Sequence, residues 1–216
     1  MKIALCMKLL QMNKQVILAR TSSTMIEYNY LSVLVPTANL NGYVNKDYFD
    51  KLCQVGCPNY GNKWSCPPYA PEYTRFVERY KYIQIVLLTL DLKQLHYIKN
   101  DYLKIKAANV ILKSRIDKTL RTVMEKDEFY ISTGSCRLCR KCKRKTGEVC
   151  KYPELRTYSF EALGINVSEL TESFFNVKLL WYKPGTLPEY TSVVAGLLTN
   201  DEMGNNKIAD ALIRLC

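Results

Sequence analysis

Seven of the 9 cysteines fall into two short constellations, and any fold adopted by this chain has to serve both. The first is Cys53-x3-Cys57-x8-Cys66, running into Pro67 and Pro68. The second is Cys136-x2-Cys139-x2-Cys142-x7-Cys150, within "CRLCRKCKRKTGEVC". Three cysteines two residues apart wrap a loop around a compact object. A cubane cluster suits such a loop because it offers an iron at several corners, each taking one thiolate. A tetrahedral zinc usually draws its thiolates as two pairs from separated segments. Here the third cysteine directly extends the first pair, which favours a cluster and leaves zinc as the rival. The match to the bacterial ferredoxin run is incomplete: the last gap is seven residues rather than three, and Pro153 follows Cys150 at three residues.

The first constellation has three cysteines, not four. Three thiolates leave an open position on zinc or on one iron of a cluster, and open positions are where substrates bind. The alternative is a fourth ligand from elsewhere, with Cys150, Cys6, Cys216 and His96 as candidates. In two-cluster ferredoxins the fourth cysteine of a run serves the other cluster. Cys150 could do the same and leave Cys136, Cys139 and Cys142 as the open set. Trp64, Tyr60 and Tyr69 are placed to shield the first site from water. His96, alone after an apolar run, reads as a surface histidine.

The bulk composition narrows the setting. A chain of 216 residues, 48% of them hydrophobic, can bury the core of one ordinary globular domain. No apolar run approaches the roughly 20 residues that cross a bilayer. The start "MKIALCMKLLQMNKQ" reads as neither signal peptide nor membrane span, so a cytoplasmic protein without a membrane partner is expected. Disulfides rarely persist there, and metal or redox chemistry becomes the leading use of the thiols.

The formal charge is +11, but it counts every cysteine as neutral. Two clusters held by four and three thiolates would bring it to about +8. The basic residues Arg137, Arg140, Lys141, Lys143, Arg144, Lys145 and Lys151 interleave with the second cysteine run. Such charges lower thiolate pKa, offset cluster charge and guide an acidic redox partner, for example a ferredoxin. Nucleic acid is the weaker reading of the same run.

Residues 1–26 show no clear period and read as an N-terminal appendage, with one domain expected over 27–216. "YNYLSVLVP" reads as extended structure and "NKDYFDKLCQVGC" as a short helix capped by Asn45 that delivers Cys53 and Cys57 at its end. "PNYGNKWSCPPYAP" is a loop by composition, and "PEYTRFVERY" suits a helix opening at Pro71. "YIQIVLLTLDL" is a buried strand. The strongest helix runs from about Asp101 to Asp127, with Leu103, Ala107 and Ile111 four apart, then Leu112, Ile116, Leu120 and Val123. "EFYIST" reads as a strand leading into the second cysteine loop, and "SFEALGINVSELTESF" as a helix broken near Gly164. "VKLLWYK" and "TSVVAGLLTN" read as a hairpin-like pair of strands around "PGTLP". The expected fold is α+β: a mixed β-sheet packed with helices, with cysteine-rich loops holding metal clusters.

The order C-x3-C, a loop with Tyr-Gly and tryptophan into C-P-P, then C-x2-C-x2-C-x7-C-x2-P resembles a family of archaeal and anaerobic-bacterial proteins described as predicted metal-binding. The segment "YPELRTYSFEALGINV" is similar too, with Pro153, Arg156, Ser159, Glu161, Ala162 and Gly164 at the family's positions. The resemblance covers roughly Tyr28 to the C-terminus and implies cytoplasmic metal binding. Glu161 with Arg156 reads as an ion pair near the cluster loop or as a catalytic acid with its partner. No GxGxxG, Walker or Ser/His/Asp arrangement is present, so nucleotide-driven and serine chemistry have no support.

The residues taken together predict an iron–sulphur protein with two [4Fe-4S] clusters on Cys53, Cys57, Cys66, Cys136, Cys139, Cys142 and Cys150. One cluster, through an open iron, would bind a small substrate that could carry sulphur, while the other relays electrons. The alternatives are a pure electron carrier with both clusters fully ligated, and a zinc-containing nucleic-acid-binding protein. Whether the chain is an enzyme is left open by the sequence.

Overall fold

The computed structural model describes residues 12–21, 24–202 and 206–214. Cys6 and Cys216, and the reading of a signal-free start, lie outside them. Five strands form one sheet: β1 (Asn13–Arg20), β2 (Met25–Pro36), β3 (Tyr82–Asp91), β4 (Phe129–Ile131) and β5 (Tyr190–Thr199). Their spatial order is β1-β2-β3-β5-β4. Every pairing is antiparallel, where a mixed sheet was expected. The α+β class holds.

The apolar run of β3 lies at the centre because both its faces are covered. Ile83, Ile85 and Leu87 point into one core, while Val86, Leu88 and Leu90 point into another. The second core is closed by two helices, α3 (Asp101–Val123) and α5 (Lys207–Arg214). Ala108, Leu112, Ile116 and Leu120 of α3 are fully buried against the sheet. Each large aliphatic residue buried there contributes roughly 2 kcal/mol. The buried stripe starts later than expected, since Leu103 is 52% exposed. The first core is closed by shorter pieces: α2 (Tyr73–Phe76), α4 (Val167–Phe175) and the 3-10 turns around Leu40 and Leu163. The helix read at Pro71 is thus a single turn.

Two segments depart from the sequence reading. Residues 13–20, read within an appendage, pair along their whole length with β2 and bury Ile17 and Ala19. "VKLLWYK" is not a strand. Its expected partner β5 pairs instead with β3 and, over Gly196–Leu198, with β4. The segment carries only an isolated bridge between Lys183 and Thr186. No helix among the described residues is long and apolar enough to cross a membrane.

Candidate metal centre

The first cysteine loop hangs from α1 (Lys46–Gly56). Asn45 caps this helix as expected, its side chain accepting a hydrogen bond from the Tyr48 N–H at 3.2 Å. Lys46 and Asp50 form an i,i+4 ion pair at 2.5 Å. Cys53 sits in the last turn, and Cys57 closes the helix by donating its N–H to the Cys53 carbonyl at 3.0 Å. The two cysteines therefore share the helix end. Successive turns then bring the chain to Cys66, whose N–H reaches the Lys63 carbonyl at 3.1 Å and whose side chain is buried.

None of the α1 side chains is fully buried, so backbone contacts have to position it. The Asn45 N–H donates to the Gly164 carbonyl at 2.7 Å, and the Asn166 N–H donates to the Tyr43 carbonyl at 2.9 Å. Gly164 has φ +89°, and a Cβ there would lie 2.7 Å from the Lys46 Cα. Glycine meets both demands: a left-handed backbone and a close approach. The break expected near Gly164 is real, and it is also what holds the helix that presents Cys53 and Cys57.

The second loop leaves the sheet at the end of β4. Ser132 donates its N–H to the Tyr158 carbonyl at 2.8 Å. Thr133 donates N–H and hydroxyl to the Asp117 carboxylate on α3, each at 3.2 Å. The Thr133 amide is thus taken up by α3. Cys136, Cys139, Cys142 and Cys150 line one small cavity of about 20 Å³ together with Trp64, Ser65 and Tyr152. Cys150 thus shares its cavity with the other three cysteines of its own run.

The two loops interlock. Ser65 accepts the Cys136 N–H at 3.0 Å. Lys63 donates to Ser135 Oγ at 2.9 Å and to the Cys136 carbonyl at 3.3 Å, and Trp64 Nε1 donates to the Glu148 carbonyl at 3.0 Å. Arg144 hydrogen-bonds the Tyr69 hydroxyl and lies over the rings of Tyr69 and Trp64, at 4.4 and 5.4 Å from their centroids. Arg144 is therefore a structural clasp. The remaining basic residues Arg137, Arg140, Lys141, Lys143, Lys145 and Lys151 are exposed. Ser65, Lys63 and Arg144 were not legible as tethers, because their partners stand some seventy positions away in the chain.

Electrostatic coupling follows the same grouping. Burial pushes the Cys53 thiol up to about 11, with Cys57 and Cys66 adding to the effect, then Asp50 and Glu161. Burial also raises the Cys66 thiol. The Ser65 hydroxyl opposes that rise, Cys57 adds to it, Lys63 opposes it, and Cys142 adds to it from the other loop. Cys66 thus joins the two constellations. His96 is exposed, as expected, with its ring beside Tyr97. The Glu161–Arg156 pair is not formed: Arg156 donates Nε to the Tyr158 hydroxyl at 2.7 Å and lies over its ring.

The seven cysteines are all free thiols. Among the described residues, no group of three or more His, Cys, Asp or Glu side chains is drawn together tightly enough to hold a metal ion.

An α+β domain with two interlocked loops presenting seven free thiols has the makings of a thiolate metal protein. The chain belongs to the family described as predicted metal-binding protein (DUF2284), whose model matches residues 39–199. That span contains both cysteine constellations, and leaves β1, β2 and α5 outside it. No curated protein and no solved structure matches the chain.

Proposed function

We propose that this metal-binding protein holds two [4Fe-4S] clusters. Cys136, Cys139, Cys142 and Cys150 would hold the first, and Cys53, Cys57 and Cys66 the second. One observation carries the assignment. Cys150 lines the same cavity as Cys136, Cys139 and Cys142, which satisfies four corners there and leaves the facing set with three. The C-x2-C-x2-C spacing of Cys136, Cys139 and Cys142 supports clusters over zinc. A single zinc needs its thiolates converging at about 2.3 Å from one point, whereas a cubane takes them at separate corners.

When bound, such clusters supply one-electron redox chemistry and, at an iron without a thiolate, a Lewis-acid position for a small substrate. The chain's own residues set the conditions. Trp64 and Tyr69 pack edge to face at 4.9 Å and wall the second loop from water. The Arg144 guanidinium over them adds positive charge to this aromatic wall. Ser65 lies 3.8 Å from the Cys66 sulphur and accepts the Cys136 N–H at 3.0 Å, so clusters held by the two sets would be neighbours able to exchange electrons. The exposed basic loop presents a docking surface for an acidic electron donor, for example a ferredoxin.

The test uses protein prepared without oxygen and titrated with cyanide or a small thiol. One of two cluster spectra should shift while the other stays fixed. Cys53→Ala, Cys57→Ala and Cys66→Ala should each abolish the response, and Cys6→Ala and Cys216→Ala should leave it intact. Two clusters that both ignore the added ligand would overturn the open iron and make the chain an electron carrier.

A further inference from the structure

β4 covers only three of the 10 residues of its neighbour β5. It pairs with β5 over Gly196–Leu198 and then departs as the second cysteine loop. The edge of β5 at Ser192–Val194 is left without a strand, and a cavity of about 440 Å³ opens there. This is within the size range of small-molecule sites, roughly 300–1,000 Å³. Its floor is the β5 edge, one wall is α3, and the other is the segment 179–182 that failed to become a strand.

The chemistry of the lining is one-sided. Lys106 and Lys113 from α3 and Arg137 from the cysteine loop contribute three cations. None of the three forms an ion pair with a described residue. Glu161 is the only acidic residue among the described residues of the lining. Trp181 and Tyr182 supply flat apolar surface, with Trp181 66% exposed at the rim. The Ser192 hydroxyl on the floor is buried and has no hydrogen-bond partner. A buried hydroxyl without a partner is costly, and a ligand oxygen would satisfy it.

We infer that this cavity binds a small organic anion, with its flat apolar body against Trp181 and Tyr182 and its charged head among Lys106, Lys113, Arg137 and Ser192. The site adjoins the second cysteine loop, since Thr133 and Arg137 of its lining flank Cys136 in the chain. The inference rests on the cluster reading for the fate of the anion but not for its binding.

The experiment is calorimetric titration of anaerobically prepared full-length protein with 2-naphthoate, using the uncharged 2-naphthamide as control. Saturable binding of the carboxylate is expected, at least about tenfold tighter than the amide and weakening as salt is added. Lys106→Gln, Lys113→Gln and Arg137→Gln should each weaken it by about three- to tenfold at unchanged metal content. Ser192→Ala should weaken it similarly, and Trp181→Ala should weaken both ligands. Absence of binding, equal binding of the amide, or indifference to all three cation variants would overturn the inference. Metal analysis of the same sample separates the two ideas. Protein without iron and sulphide that binds 2-naphthoate in this way refutes the cluster reading alone, and iron–sulphur protein that does not bind it refutes the cavity reading alone.

Discussion

The hydroxyl of Ser65 accepts the backbone N–H of Cys136 at 3.0 Å while lying 3.8 Å from the Cys66 sulphur. One buried side chain thereby fixes the last cysteine of the first constellation against the first cysteine of the second. Ser65→Ala leaves that amide without its partner, and an unsatisfied buried donor costs about 1–3 kcal/mol. Denaturant unfolding should show a loss of that size. Metal content should fall at both sets together, since neither loop is then held against the other.

Gly164 acts at a distance from the thiols it serves. Gly164→Ala forces a side chain into a left-handed backbone and brings Cβ to 2.7 Å from the Lys46 Cα. The strain alone is about 1–2 kcal/mol, and the start of α1 has to move as well. The expected result is a less stable protein that loses metal from Cys53, Cys57 and Cys66 before it loses metal from the second set. Metal analysis of Gly164→Ala in combination with Cys139→Ala checks this, because the second set is then already removed.

Arg144 and its basic neighbours should separate cleanly. Arg144→Ala removes the contacts with Tyr69 and Trp64, and a partly desolvated cation–π contact contributes roughly 1–2 kcal/mol. Its effect should appear as reduced thermal stability. Reversing the exposed Arg140, Lys141 and Lys145 to glutamate should leave stability nearly unchanged. It should instead slow reduction by an acidic donor protein, more at low salt than at high salt. Stopped-flow reduction at two ionic strengths distinguishes the two behaviours.

Buried tyrosines of both cores, Tyr73 in the first and Tyr30 in the second, set an alkaline limit. Burial raises the Tyr30 hydroxyl from its ordinary 10 to about 12. The folded state holds this proton more tightly than the unfolded chain does. The corresponding stability is fully present below pH 10 and is lost as the pH rises through about 12. Two pKa units correspond to about 2.7 kcal/mol. Tyr30→Phe should flatten this part of the stability profile, measured by denaturant midpoints between pH 9 and pH 12.

How much of this was legible in the sequence depends on how local each signal is. The Asn45 cap, the α1 helix delivering Cys53 and Cys57, the β3 run and the α3 periodicity depend on neighbouring residues, and all are present. β1 was missed because "VILA" is apolar throughout, with Val16 and Leu18 exposed and only Ile17 and Ala19 buried, so no alternation marks it. "VKLLWYK" had the composition of a strand, but composition does not say which edge is vacant. Its Trp181 and Tyr182 became a cavity wall. The spacing of the cysteines gave two candidate sets, whereas the tethers Ser65, Lys63 and Arg144 exist only once the loops meet.

The metal content of protein purified without oxygen tests the central claim most directly. About eight iron atoms and eight acid-labile sulphides per chain are expected, from two cubanes. Cys139→Ala and Cys57→Ala should each remove about half. Stoichiometric zinc without labile sulphide in protein handled in this way would contradict the claim.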